Sequence, residues 1–69
     1  MEVLGKRAGS ADIRVTADEL LIIGNALNEI CHGFDIAEFQ TRIGASRTEA
    51  QLLLSSVGTL YRDLSQPPP

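Results

Sequence analysis

The sequence predicts an all-α fold, a compact three-helix domain with a helix-turn-helix-like corner. Three observations predict it. The chain carries three N-capping signals of one kind, an apolar run at helical spacing follows each, and glycine or proline closes each run. Sixty-nine residues make one domain. The composition, 43% hydrophobic and 22% charged, is that of a globular chain and argues against a disordered one.

Residues 1–10, MEVLGKRAGS, hold two glycines and no period, and are expected to form a flexible lead. Ile13-Arg14-Val15 has extended character but no evident strand partner. The domain is expected over residues 11–64. Its first helix, about 17–32, starts at the capping box Thr16-Ala17-Asp18-Glu19 and stops at Gly33. Leu20, Ile23, Gly24, Leu27, Ile30 and Cys31 fall on one side of it. The second helix, about 36–43, starts at Asp35 with Glu38 three residues on, and stops at Gly44; Ile36, Phe39 and Ile43 point inward. The third, about 47–63, starts at Ser46-Arg47-Thr48-Glu49. Its inward set is Ala50, Leu53, Leu54, Val57, Leu60, Tyr61 and Leu64. Residues 65–69, SQPPP, form a Pro-rich tail that cannot continue a helix and favours polyproline II. A terminal spacer is the expected role, an SH3-type ligand the alternative.

Charge narrows the function. The net charge is −3, and residues 11–64 hold eight acids against four arginines. Nucleic-acid binders normally show a basic face, so an acidic domain points to a protein partner with a basic surface. One cysteine and one histidine make neither a disulfide nor a zinc site, and no phosphate loop or HExxH is present. No cofactor or metal is expected. A lone cysteine fits a cytoplasmic setting. The N-terminus lacks the apolar run of a secretory leader, and Leu20–Ile23 is far too short to span a membrane.

Catalysis is not expected. Cys31 and His32 are neighbours, about 100° apart on a helix, and badly placed as nucleophile and base. Of the paired carboxylates Asp18-Glu19, the second is accounted for by capping. Binding is better served. Asp18, Ile22, Asn25 and Glu29 form an outward stripe on the first helix, with Leu21 at its border. An apolar anchor with a polar, negative rim is the composition of a small interface. On the third helix Thr48, Leu52, Ser55 and Thr59 make an outer face with little charge around a leucine, suited to self-association or a homodimer.

Two resemblances bear on function. Residues 36–55 resemble a helix-turn-helix, with Gly44 as the turn glycine and Ala50 and Leu53 at buried positions. The resemblance implies DNA binding through Arg47, Thr48, Gln51 and Ser55. Gln40 stands where that motif prefers a small residue, and Leu52 lies on the outward face. The string ELLIIGNALNEICHGFDIAEFQTRIGASRTEA, residues 19–50, resembles small acidic bacterial proteins with immunity or antitoxin roles. That resemblance implies an inhibitor of a cognate toxin. The expected function is therefore protein binding, as an immunity- or antitoxin-like inhibitor. A DNA-binding transcriptional regulator and a homo-oligomeric adaptor are the alternatives.

Overall fold

The computed structural model describes residues 1–66, and its fold is α+β rather than all-α. Strand β1 (Glu2–Arg7) pairs antiparallel with β2 (Ser10–Arg14), so the expected flexible lead is half of a hairpin. Ile13 does have a partner: it lies opposite Val3. Gly5 faces Asp12, which leaves Leu4 as an extra residue in a bulge. The turn places Gly9 at φ 81°, a left-handed conformation that glycine adopts without steric cost. Arg14 donates to Glu2 at 2.9 Å, and Arg7 pairs with Asp12. The bulge hides this strand from a period-two reading, because it shifts the alternation midway. The opposite charges become pairs only once the register is known.

Cross-strand partners share a face. Glu2, Arg14, Asp12 and Arg7 therefore lie on one face of the hairpin, and Val3 and Ile13 on the other, where both are exposed. The Met1 amine, just before β1, pairs with Glu19 of α1; otherwise, among the described residues, the hairpin adds no substantial packing to the helices.

Helix α1 (Ala17–Asn28) begins as its sequence predicts. Thr16 accepts from the Glu19 N–H at 3.1 Å, and the Thr16 N–H donates to the Glu19 carboxylate at 3.0 Å. The helix runs on as a π-helical turn, Glu29–Gly33, in which the Phe34 N–H reaches the Glu29 carbonyl at 3.2 Å. The second helix is shorter than expected. Helix α2 (Phe39–Ile43) starts three residues late, and Glu38 at φ 54° precedes it. The Asp35 cap does not form. The Phe39 ring is buried with Cys31 and Ala50, and that burial rather than the local cap sets where the turn falls. Gly44, at φ 87°, ends the turn. Helix α3 (Arg47–Ser65) carries the third box, Ser46 with Glu49, fully formed. The polyproline expectation at 67–69 lies outside the described residues.

Helices α1 and α3 run antiparallel. Cys31 and Ala50 meet at one end of the pair. Gly24 lies beside Val57 at its middle: a Cβ on Gly24 would stand 3.5 Å from a Val57 methyl. The buried set is small: Leu20, Cys31, Phe39 and Ala50, with Ile30, Ile36 and Leu54 packed around the last three. Leu53, Leu60 and Leu64, expected inside, are exposed. The three-helix expectation needed a third wall against α3. A one-turn α2 and a hairpin that stands apart do not supply it. The molecule measures 42 × 32 × 16 Å, and its short dimension is less than two helix diameters of ~10–12 Å.

Candidate protein-binding site

The outward face of α1 assembles as the sequence predicts. Asp18, Leu21, Ile22, Asn25 and Glu29 are all exposed, Ile22 at 70% against 43% for Leu21. Among the described residues, the side chains of Asp18, Asn25 and Glu29 make no hydrogen bond or ion pair within the chain. Two carboxylates and one amide thus share the stripe with an apolar side chain and stay unpaired within the chain, the Glu29 carboxylate lying against Gly33.

The structure adds a groove to this face. Between α1 and α3 lies an open cleft of about 400 Å³, and its lining is mostly apolar. Leu21 and Asn25 belong to both the stripe and the groove, so the two surfaces are continuous. The rest of the lining, Gly24, Asn28, Gly58 and Tyr61 with the core-side Leu20, Leu54 and Val57, was not singled out for binding from sequence. Gly58 carried a signal: an isolated glycine inside a helical pattern costs about 1 kcal/mol against alanine. Here a Cβ on Gly58 would meet nothing within 4 Å, so its absence widens the groove rather than relieving a clash.

The DNA-reading set does not stay together. Arg47 donates to the Cys31 carbonyl at 3.1 Å, and its guanidinium lies 4.5 Å from the Phe39 ring centroid. This side chain ties α3 to the end of α1 and covers the core. Thr48, Gln51 and Ser55 remain exposed but carry no charge for a phosphate. The self-association set comes together in part. Leu52, Ser55 and Thr59 line a shallow depression with Ser56, Leu60 and Asp63, and Thr48 stands outside it.

Cys31 is a buried free thiol, while the adjacent His32 is exposed. No group of three or more metal-ligating side chains converges among the described residues. No described helix is long and apolar enough to cross a membrane. Two carboxylates are perturbed, both in capping boxes. The Met1 amine first, and then the Thr16 N–H, hold Glu19 below the usual glutamate value. The Ser46 N–H and hydroxyl do the same for Glu49. Each has a structural task that explains it, so neither marks a reactive centre.

No protein-family model matches the chain, and no curated protein or solved structure is significantly similar to it.

Proposed function

We propose that this protein is a small acidic binding module that recognises one protein target through the exposed face of α1. In its sharpest form, it is an immunity- or antitoxin-like inhibitor that covers a basic functional surface. The observation that carries the binding reading is Ile22, 70% exposed among Asp18, Asn25 and Glu29 and adjoining an apolar groove. A single exposed isoleucine needs no explanation. An isoleucine beside a groove with polar rims has the anatomy of an interface centre. That the target is a toxin rests on the sequence resemblance of residues 19–50 alone.

The mechanism follows from the surface chemistry. Asp18 and Glu29 draw in a basic patch and speed the encounter, so the association rate falls as salt rises. Ile22 enters a recess on the target. A projecting apolar side chain of the target enters the groove over Gly58. The test is capture of the target from native lysate, followed by titration of the purified pair. Ile22→Arg is expected to weaken binding about thirtyfold or more, the effect of losing a ~2 kcal/mol anchor, with helical circular dichroism unchanged. Gly58→Leu, which fills the groove, is expected to weaken it as well. Equal affinity for wild type and Ile22→Arg would sink the reading. Capture of DNA with no protein would favour the regulator instead.

A further inference from the structure

A second surface remains unused by this reading. On α3, Leu53, Val57, Leu60 and Leu64 follow one another at spacings of four, three and four. That is the seam spacing of a coiled coil. Val57 is half-buried against α1, while Leu53, Leu60 and Leu64 are 55%, 43% and 50% exposed. Beside them the Ser56 hydroxyl donates to the Leu52 carbonyl at 3.2 Å. Its donor is satisfied within the helix, and the side chain is small enough for a neighbouring helix to come close. Between Glu49 and Arg62 no charged residue occurs on any face of α3.

The size of the exposed surface says how much covering the chain can take. A folded monomer of this mass exposes ~4,200 Å². This chain exposes 5393 Å². The excess, about 1,200 Å², exceeds the ~800 Å² that each partner contributes to a standard interface. The radius of gyration agrees: 13.9 Å, against ~11 Å for a compact domain of this length. The core cannot compensate, because among the described residues no side chain is completely buried.

We infer that the Leu53–Leu60–Leu64 flank of α3 is the interface with a second copy of this chain. Arg62 and Asp63 stand only at the far end of this flank, and from Leu53 to Leu60 it carries no charge with which to select a different protein. An identical seam needs none, since its spacing matches itself under two-fold symmetry. The assignment shifts self-association from the Leu52 face toward the core side of α3. It is independent of the target-binding reading. Val57 lines the groove as well as the seam, so the two surfaces adjoin along α3, but Leu53, Leu60 and Leu64 lie outside the groove lining and Ile22 lies on α1.

Sedimentation equilibrium over a wide concentration range tests this. The wild type is expected at twice the 7.4 kDa chain mass. Leu53→Glu with Leu60→Glu is expected to raise the dimer dissociation constant at least about a hundredfold, since each charge is buried in the interface. Ile22→Arg is expected to leave the mass doubled. Should the double variant lose its helical signal, isotope-filtered NMR on a mixed wild-type sample replaces it. Methyl contacts from Leu53 and Leu60 to the other copy are then expected. A wild type that stays at the single-chain mass overturns the proposal. So does a dimer broken by Ile22→Arg but not by the α3 variant, or one without those methyl contacts.

Discussion

Arg47 and Gly58 divide between them what α3 does for the fold and for the site. Arg47 is a residue type suited to phosphate, yet its hydrogen bond and ring contact are both internal. Its removal takes away a charged hydrogen bond and a cation–π contact over the core. Arg47→Ala is expected to lower stability by about 2 kcal/mol in a urea titration. Thr48→Ala beside it, exposed and without a side-chain bond, is expected to change it by less than about 0.5 kcal/mol. Equal costs would mean that Arg47 bears no load. Gly58 runs the other way. It lies within α3 with open space where a Cβ would go, so Gly58→Ala gains helix propensity and loses no contact. A gain of about 1 kcal/mol is expected, with weaker target binding. A stability gain at no cost in affinity would remove the groove from the site. Arg47's role was illegible in the sequence because its partners lie eight and sixteen residues back. The exposure of Ile22 was legible, because helical spacing alone separates it from Leu20 and Ile23.

The elements show which local signals survive packing. Two capping boxes formed as written, at Thr16 and Ser46, because both partners of each box lie within one turn of the same helix start, and at Glu19 the Met1 amine adds to the box without displacing it. The Asp35 signal failed because Phe39 had a stronger claim on the same turn. The hairpin was missed because a bulge at Leu4 breaks its alternation, and its stabilising charges are cross-strand. The boxes carry a pH prediction. Glu19 and Glu49 are both held below the ordinary glutamate value of 4.5 in the folded chain. The unfolded chain therefore takes up protons first as pH falls. Their contribution is complete above about 4.5 and is lost as pH drops through the depressed folded values. The melting temperature is expected to fall over that window, and Glu19→Gln with Glu49→Gln to flatten the profile. An unchanged profile would place the acid sensitivity elsewhere. The hairpin predicts a separation of elements. A two-stranded hairpin is marginal by itself. A side chain forced into the Gly9 conformation costs roughly 1–2 kcal/mol. Gly9→Val is expected to raise amide exchange across β1 and β2 while helical circular dichroism persists. Joint loss of both would mean that the hairpin props up the helices.

At the scale of the whole molecule, a thin layer with four buried core residues among those described must explain its own stability. A domain this small rarely gains more than ~3–5 kcal/mol from one hydrophobic core, and here α3 leaves four leucines outside, three of them on one flank. Pairing through that flank brings the leucines out of water and leaves both α1 faces free, so one dimer presents two target sites. Assembly of this kind makes folding depend on concentration, because mass action favours the paired state. For a dimer of two such chains, each tenfold rise in concentration is expected to raise the melting midpoint by about 5 °C. Ile22→Arg is expected to keep that slope, since its side chain is on the target face. Leu53→Glu is expected to abolish it and to lower the midpoint at high concentration. A midpoint independent of concentration in all three would mean that one copy is stable alone. The exposed leucines of α3 would then have to be explained by the target, and the two surfaces would be halves of one larger interface.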